Sequence, residues 1–406
     1  MVKAEELAIN GGLKVRSSPM PYRKQFGEAE LQAVTEVFRD SWEKGVDFGF
    51  QGKYEGLFAS EFCEFLGGGG YADAVSSGTA AVYLALKALN LEAGCDVIVS
   101  PVTNPGSVMP VALQDVKLVV PDSAPNAFNL SPETFERALT PRTRAAVLTH
   151  LGGHAVDLDP ILEICRDYNI KLVEDCSQAH GTLYRGKKVG AFGDVAAFST
   201  MFSKTLSTGG CGGIVYTRNE ELYWKIRSLA DRGKPFDKPD FFFKHSQDYL
   251  FPSLNFNADE LSCAIGSSVL KRLPEIISKR REVAREIDEA LRECDAVLPI
   301  NLELPDTESS LFFHTVIVDV DRLSVSKKDF AAAIAAEGIT LNGDYRDITC
   351  EWQWIPDYVR NYSVTPNALE FRDRTINLLF NERFGDQEIN DVINAIKKVE
   401  SVFANR

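Results

Sequence analysis

The first part of the chain carries apolar residues at helical spacing. Between Phe26 and Trp42 these residues recur every three or four positions, and this pattern predicts an amphipathic helix. A second helix is predicted from Tyr54 to Leu66, where a run of four glycines stops it. Residues 1–25 have few periodic apolar positions, and we expect them to form an extended arm.

Short apolar runs then alternate with stretches of helical length. The predicted strands cover residues 74–76, 97–100, 117–120, 145–150, 172–175, 195–198 and 214–216. The predicted helices lie before residue 89 and within 106–114, 131–139, 158–168 and 220–232. This alternation indicates parallel βαβ units, in which ligands bind beyond the carboxyl ends of the strands. Asp175, Ser199 and the loop 101–104 fall at this edge of the sheet.

The last third of the chain predicts a smaller α/β unit. Its predicted elements are helices from Asp259 to Leu273 and from Glu275 to Cys294, a strand over 312–320, and helices over 328–337 and 386–403. The expected organisation is an N-terminal arm (1–25), a large domain (26–257), and connecting helices with a small C-terminal domain (258–406).

Residues 233–257 break the alternation of strands and helices. Aromatic residues such as Phe236, Phe242 and Phe243 are interleaved there with Lys244 and His245, without a helical or strand period. An irregular segment of this length indicates a functional segment or an interface. A loop that packs on a partner subunit explains the composition equally well.

The composition is that of an ordinary globular protein. Of its 406 residues, 45% are hydrophobic and 25% are charged, and the formal net charge of −14 argues against binding to nucleic acid. The eight cysteines show no C-x-x-C spacing, so neither a metal site nor a disulfide framework is indicated. The N-terminus lacks the apolar core of a signal peptide, and no apolar run is long enough to cross a membrane. We expect a soluble, cytoplasmic protein.

The stretch from Lys171 to Gly213 concentrates the candidate chemistry. One predicted strand ends on Asp175, and the next ends on Ser199, five residues before Lys204. Hydroxyl residues and glycines follow the lysine and allow the backbone to approach a bound group closely. Pyridoxal phosphate (PLP) requires a lysine for covalent attachment and a carboxylate opposite its ring nitrogen, so this arrangement suits that cofactor.

The turn Ser77-Gly78-Thr79 is a second candidate feature, because it joins a predicted strand to a predicted helix. The first N–H groups of a helix lack partners and the helix dipole favours negative charge, so such a turn can bind a phosphate. A serine or threonine before a helix is also a common N-cap. The residues of the turn alone leave both interpretations open.

Five motifs follow one another in register through this region. They are Val173-Glu174-Asp175, Gln178-Ala179-His180-Gly181, Phe192-Gly193-Asp194, Phe198-Ser199 and Lys204. In this order they resemble the sugar-aminotransferase group (DegT/StrS-like) of fold-type-I PLP-dependent aminotransferases. The resemblance implies an α/β fold with a mixed, mostly parallel sheet in a large domain and a smaller C-terminal α/β subdomain. It also implies PLP as the cofactor, which makes residues 26–257 the large PLP-binding domain.

The resemblance implies catalytic roles for two residues. Lys204 is expected to hold PLP covalently and to carry a proton between the substrate and the cofactor. Asp175 is expected to pair with the pyridine nitrogen and to keep it protonated. Gln178 is expected to lie against one face of the ring or to bond its O3′ oxygen.

The remaining expected contacts concern the phosphate and the edge of the ring. Gly78, Thr79 and Ser199 are expected to bind the phosphate of PLP. Asn104 stands in the loop where the family offers an aromatic ring to the cofactor. Asn255 matches the asparagine with which the family reaches the phosphate of the neighbouring subunit, which implies a homodimer with shared active sites. Alternatively, Asn255 caps the helix that begins near residue 258.

Four departures from the family pattern lie on the substrate side of the expected site. They are Asn257 in place of an arginine, Asp231-Arg232-Gly233 in place of R-x-H-G, Thr208-Gly209-Gly210-Cys211-Gly212 in place of T-G-E-G-G, and the non-aromatic loop Val102-Thr103-Asn104. The motifs on the cofactor side are complete.

The resemblance implies an aminotransferase that moves an amino group from glutamate or glutamine to a keto-sugar, nucleotide-linked, in amino-sugar biosynthesis. A PLP- or PMP-dependent sugar dehydratase is an alternative, although its lysine is typically replaced by histidine and this chain has Lys204. A non-catalytic regulator with the same fold is a further alternative, against which the complete cofactor motifs argue. The expected partners are the two small-molecule substrates and a second copy of the chain, without nucleic acid, membrane or metal.

Overall fold

The structure, a computed structural model, describes residues 3–238, 241 and 248–405. Its helices are α1 (Glu28–Lys44), α2 (Lys53–Phe65), α3 (Gly78–Ala88), α4 (Pro105–Ala112), α5 (Pro132–Arg137), α6 (Leu158–Asp167), α7 (Glu220–Ala230), α8 (Glu260–Leu291), α9 (Lys327–Ala336), α10 (Ile355–Tyr358), α11 (Pro366–Asp373) and α12 (Asp386–Phe403). Its strands are β1 (Tyr71–Val75), β2 (Cys95–Val99), β3 (Val116–Val119), β4 (Thr143–Thr149), β5 (Lys171–Asp175), β6 (Leu183–Tyr184), β7 (Lys187–Lys188), β8 (Val195–Ser199), β9 (Gly213–Thr217), β10 (Val297–Pro299), β11 (Thr307–Glu308), β12 (His314–Val318), β13 (Leu341–Asn342) and β14 (Thr375–Leu378). Within these described ranges, no helix is both long and apolar enough to cross a bilayer.

A seven-stranded sheet with the order β1-β9-β8-β5-β4-β2-β3 forms the centre of the molecule. Parallel pairing joins β3, β2, β4, β5 and β8, whereas β9 runs antiparallel between β8 and β1. The predicted mixed, mostly parallel sheet is therefore confirmed. Because parallel strands end at one edge, Asp175 at the end of β5 and Ser199 at the end of β8 come to the same side.

Two hydrophobic cores cover the two faces of this sheet. Along β8, Ala196 and Phe198 belong to the core formed with α2, α6 and α8. Val195 and Ala197 alternate with them and belong to the core formed with α3, α4 and α7. Burial on both faces explains why the strands are continuous apolar runs rather than alternating ones.

A second sheet, with the order β10-β12-β14-β13, packs with α9, α12 and the later part of α8. The apolar pattern does not predict β14, although this strand lies inside the small sheet. Leu7 of the N-terminal arm is fully buried in the same core. The domain boundaries stay a prediction, since α8 contributes to the cores of both sheets.

The N-terminal arm is not extended throughout, as the sequence had led us to expect. Residues 4–6 and 8–10 form short 3-10 turns on either side of Leu7. The backbone N–H groups of Ala8 and Val15 donate to the carboxylate of Glu337 over 2.8 and 3.0 Å. These bonds fold the arm onto the small domain, which the sequence of the arm alone does not reveal.

The prediction of two helices around Pro274 is wrong, because α8 is one helix of 32 residues that contains this proline. Leu270 and Leu273 face the core of the large sheet, and Val283 and Ile287 face the core of the small one. A proline removes one helical hydrogen bond and ordinarily costs about 3 kcal/mol. The apolar face continues on both sides of it, and its burial outweighs this cost.

The aromatic and basic segment 233–257 is only partly described. Phe242, Phe243, Lys244 and His245 lie outside the described residues. Phe236 and Phe241 pack edge to face, with ring centroids 5.6 Å apart. The segment can therefore still be interpreted as a functional segment or interface, or as a loop that packs on a partner subunit.

Glu174 holds the segment 190–193, which lies between β5 and β8, in place through hydrogen bonds. Its carboxylate is fully buried and accepts hydrogen bonds from the backbone N–H groups of Gly190, Phe192 and Gly193 over 2.6 to 2.8 Å. It also bonds Nε2 of His150 over 3.1 Å. Burial acts to raise the pKa of Glu174, but the hydrogen bonds outweigh it and hold the pKa below the ordinary 4.5.

We predict that Glu174→Gln lowers the free energy of unfolding by about 3 kcal/mol, because a neutral amide cannot replace the buried, hydrogen-bonded charge. Chemical denaturation at pH 7 measures the loss, and Glu163→Gln on the exposed face of α6 is the control. Since the pKa of Glu174 is depressed by folding, its contribution is complete above about pH 4.5 and is lost as the pH falls further. Equal stability of the two variants at pH 7 would contradict this role.

Candidate active site

A cavity of about 610 Å³ opens at the edge of the large sheet where β5 and β8 end. Seven of the eight predicted site residues line it: Gly78, Thr79, Asn104, Asp175, Gln178, Ser199 and Lys204. The small domain contributes further residues to its wall: Phe312, Phe313, Asn342, Tyr345, Asp347, Asn377 and Leu379. The volume is that of a typical small-molecule site.

The N-terminus of α3 forms one wall of the cavity. Ser77 is the N-cap, and its side chain accepts a hydrogen bond from the backbone N–H of Ala80 over 3.0 Å. Gly78 is packed so closely against Ser199 that an added Cβ atom would overlap the Cβ of the serine. A glycine is therefore required where the helix meets the end of β8. The N-cap interpretation is confirmed, and the turn also lines the cavity, as an anion site requires.

Asp175 is buried at the end of β5 with an exposed fraction of 1%. One carboxylate oxygen accepts a hydrogen bond from the hydroxyl of Ser107, and the other accepts the backbone N–H of Ser177 over 3.0 Å. Ser107 continues a chain of hydroxyls, because Thr103 bonds both Ser107 and Thr149 over 2.9 and 2.8 Å. These bonds hold the carboxylate toward the cavity, where it can receive a cationic partner.

Lys204 lies in the loop after β8 and is 8% exposed. Burial lowers the pKa of its amine from 10.5 to about 8, although the negative charges of Asp175 and Asp347 act in the opposite direction. The amine nitrogen lies 4.6 Å from the centroid of the Phe312 ring. A substantial fraction of the lysine is thus neutral near pH 8, as a nucleophile requires.

The N-terminal arm holds the backbone of this lysine. Nη1 of Arg23 and Nε2 of Gln25 donate to the carbonyl oxygen of Lys204 over 2.7 and 3.0 Å. Arg23 also forms an ion pair of 3.0 Å with Glu382, near the end of the chain. The position of the lysine therefore depends on both ends of the sequence.

Gln178 and Asn104 lie on the cavity wall close to residues of the small domain. The side-chain oxygen of Gln178 accepts the backbone N–H of Gly152 over 2.9 Å, and that of Asn104 accepts the backbone N–H of Gly106 over 3.0 Å. Tyr345 and Asp347 line the same cavity. Burial and the charge of Asp347 raise the pKa of Tyr345, so its hydroxyl stays protonated.

Asn255 lies outside the cavity of its own chain. Its side-chain oxygen accepts bonds from the backbone N–H and the side-chain amide of Asn257, over 3.1 and 2.7 Å. The N-cap of α8 is Asp259, which accepts the backbone N–H of Ser262 over 2.8 Å. The alternative that Asn255 caps this helix is therefore wrong, and its expected role toward a neighbouring subunit stays a prediction.

The cavity residues that the sequence does not predict include Ser107, Phe312, Tyr345 and Asp347. Ser107 follows the predicted loop 101–104 by three positions, so its proximity to that loop was an available signal. The other three stand in the small domain, more than 100 residues after Lys204. Local periodicity carries no information about such distant contacts.

A buried trio of His150, Glu174 and Cys176 has metal-ligand chemistry, with one ligand atom of each within 4.8 Å of the others. Both oxygens of Glu174 already accept hydrogen bonds from peptide N–H groups and from His150. These bonds give the trio a structural role beneath the site, so a metal is not required to explain it.

The donors of the cavity fit the cofactor that the sequence suggests. A lysine with a lowered pKa and a buried carboxylate line it together, as PLP requires. The tight approach of Gly78 to Ser199 forms a cradle that any side chain at residue 78 would fill. The first turn of α3 and the hydroxyls of Thr79 and Ser199 border this cradle, so a phosphate would find donors there.

Comparison with known proteins agrees with this arrangement. A model of the DegT/DnrJ/EryC1/StrS aminotransferase family matches residues 24–397. The chain is 30% identical over 397 residues to the spore coat polysaccharide biosynthesis protein SpsC of Bacillus subtilis, covering 95% of this chain and 98% of that protein. It is 30% identical over 418 residues to the L-glutamine:2-deoxy-scyllo-inosose aminotransferase of Micromonospora echinospora, covering 98% of each. The solved structure of an aminotransferase from Psychrobacter cryohalolentis superposes with a TM-score of 0.87 at 27% identity, over 94% of this chain and 99% of that one.

We predict that Lys204 of the cofactor-free protein is half-reactive toward acetic anhydride at about pH 8, because burial lowers the pKa of its amine. Competitive acetylation across a pH series, followed by peptide mass spectrometry, measures this midpoint. Lys279 is the control within the same sample, since Glu282 raises its pKa above the ordinary 10.5. Equal midpoints for the two lysines would show that the cavity does not activate Lys204.

Proposed function

We propose that this chain, which belongs to the DegT/DnrJ/EryC1/StrS aminotransferase family, transfers an amino group from glutamine or glutamate to a keto-sugar. Family membership confirms the resemblance read from the motifs and makes the protein a PLP-dependent aminotransferase. The observation that carries the proposed role of the site is the shared cavity of Lys204, Asp175 and the phosphate-binding candidates. The dehydratase alternative is disfavoured by Lys204, which lines that cavity.

When bound, PLP supplies an electron sink for the negative charge that develops at a substrate carbon during proton transfer. The chain's own residues would hold it in three places. Lys204 would attach it covalently, and Asp175 would face its ring nitrogen. Thr79 and Ser199, with the backbone of Gly78, would bind the phosphate.

Lys204 would also carry the proton in each half of the reaction. With a pKa of about 8, its amine nitrogen can take a proton from the substrate carbon and return it near neutral pH. The buried carboxylate of Asp175 would keep the ring nitrogen protonated, and the hydroxyl chain through Ser107 holds that carboxylate in place. Gln178 and Asn104 would border the ring, since both line the cavity and each side-chain oxygen is held by a backbone N–H group.

The acceptor that we propose is a keto-sugar of amino-sugar biosynthesis. The cyclitol aminotransferase of M. echinospora and the polysaccharide protein of B. subtilis support a polyhydroxylated ring as the acceptor. Attachment of a nucleotide to this ring, expected from the family resemblance, belongs to the proposal. A cytoplasmic location belongs to it as well.

We also propose a homodimer in which each chain completes the active site of the other. Asn255 supports this arrangement, because it is exposed on its own chain and does not cap α8. In the dimer, the side chain of Asn255 would reach the cofactor of the neighbouring subunit. A two-fold axis would repeat the exchange in the second site.

The proposed reaction predicts amine transfer from L-glutamine or L-glutamate to a member of a panel of keto-sugars and keto-cyclitols, followed by mass spectrometry. Asp175→Asn should keep PLP bound but lose roughly 10²- to 10⁴-fold in activity, because an amide cannot hold the ring nitrogen protonated. Lys204→Ala, which should be inactive, is the negative control.

A variant Asp175→Asn within about threefold of the wild type would contradict the assigned role, since that corresponds to less than ~1 kcal/mol of barrier. Activity of Lys204→Ala equal to that of the wild type would overturn the proposed mechanism.

The shared site predicts complementation between two weakly active variants. After subunit exchange, Lys204→Ala and Asn255→Ala should together regain activity, because one site of each mixed dimer combines an intact lysine with an intact asparagine. Random exchange at equal amounts restores about one quarter of all sites. Light scattering and mass spectrometry of differently tagged subunits verify the exchange.

Absence of recovery after verified exchange, or a fully active monomer, would show that each site is built within one chain.

A further inference from the structure

The charges of the cavity are unevenly distributed. Among the described residues that line it, the only charged side chains are those of Lys204, Asp175 and Asp347. In the proposed function, Lys204 and Asp175 both interact with the cofactor. Asp347 is therefore the charged group of this wall that remains for the substrates.

Asp347 is held rigidly in the cavity wall. Its side chain lines the cavity together with Asn104 and Tyr345, and its backbone oxygen accepts the N–H of Thr103 over 2.9 Å. The next residue, Ile348, forms a β-bridge with Val102 of the loop 101–104. Because the backbone is anchored on both sides, the carboxylate cannot move away from an unfavourable ligand at low cost.

The carboxylate of Asp347 is not neutralised by a close ion pair. Within the described ranges, no lysine, arginine or histidine nitrogen lies within 4.0 Å of it. Burial holds the pKa of Asp347 above the ordinary 3.8, although the nearby Asn104 and Tyr345 side chains and the charge of Lys204 act in the opposite direction. When ionised, Asp347 presents a negative charge in a partly desolvated place, where repulsion between like charges is stronger than in water.

The two amino donors of the proposed reaction differ in the charge of their side chains, which interacts with the charge of Asp347. Glutamate carries a second carboxylate on its side chain, whereas glutamine carries a neutral amide of nearly the same shape. We propose that Asp347 is a specificity-determining residue that selects glutamine over glutamate as the amino donor. This inference rests on the proposed function and names the donor of that same site.

Hydrogen bonding in the cavity acts in the same direction as the charge. The side-chain oxygens of Asn342 and Asn377 already accept bonds from the backbone N–H of Asp344 and the hydroxyl of Thr315, over 3.1 and 2.8 Å. Their amide nitrogens are the groups left to donate. A glutamine amide can accept from such donors and donate to Asp347, while a glutamate carboxylate can only accept.

Two unreactive analogues test the selection by binding alone. Glutarate has the two carboxylates of glutamate, glutaramate has one carboxylate and one amide, and neither has an amine that could react. Titration calorimetry on the PLP-loaded enzyme should show that glutaramate binds about tenfold more tightly than glutarate, a difference of about 1.4 kcal/mol in binding free energy. In Asp347→Asn the ratio of the two dissociation constants should fall to less than about threefold, mainly because glutarate binds more tightly.

Asp344→Asn is the matched control, because Asp344 stands in the same loop, pairs with Arg346 over 3.1 Å and is not among the lining residues. It should keep the wild-type ratio. Asp347→Ser is a second variant that removes the charge without an amide, and thermal melting with PLP content verifies that each variant is folded. Equal affinities in the wild type, or an unchanged ratio in both Asp347 variants, would overturn the proposal.

The reactive donors separate this inference from the proposed function. In the wild type, L-glutamine should change the absorbance of bound PLP faster than L-glutamate does. In Asp347→Asn the difference between these two rates should become smaller. Conversion by both donors at equal rates would overturn the selection and leave the aminotransferase function intact. Conversion by neither donor would overturn the proposed function, and the inference with it.

Discussion

A lysine and a carboxylate share one buried cavity, and much of the surrounding structure serves to stabilise them there. Both Lys204 and Asp175 are buried, and a buried charged group is costly unless polar partners surround it. Asp175 has Ser107 and a backbone N–H group as partners, while Lys204 has opposing charges and the face of Phe312. The result is an amine with a pKa of about 8, close enough to neutrality to bind covalently and to move protons.

The large sheet could be predicted because its information is local. Runs of buried residues separated by helical stretches indicate parallel strands, and parallel strands bring their carboxyl ends to one edge. Asp175 and Ser199 were placed together for that reason, and the turn at Gly78 joined them through the same geometry. Family motifs then added Lys204, whose loop has no periodic pattern of its own.

The small-domain side of the site could not be predicted in this way. Tyr345 and Asp347 line the same cavity as Gln178 and Asn104 although more than 160 residues separate the two pairs, and no local period encodes such a pairing. The same limit applies to α8, where a proline indicated a break but burial against two cores kept the helix intact. Local preferences were thus overridden wherever packing between distant segments supplied more free energy.

The hydrogen bonds between the N-terminal arm and the backbone of Lys204 determine when the site can form during synthesis of the chain. Arg23 bonds the backbone of Lys204 and pairs with Glu382, residues that follow it by 181 and 359 positions. Because synthesis runs from the N-terminus, Arg23 is made long before both of its partners. The cavity therefore reaches its final form only after residue 382 has been made, which places capture of the cofactor after that point of synthesis.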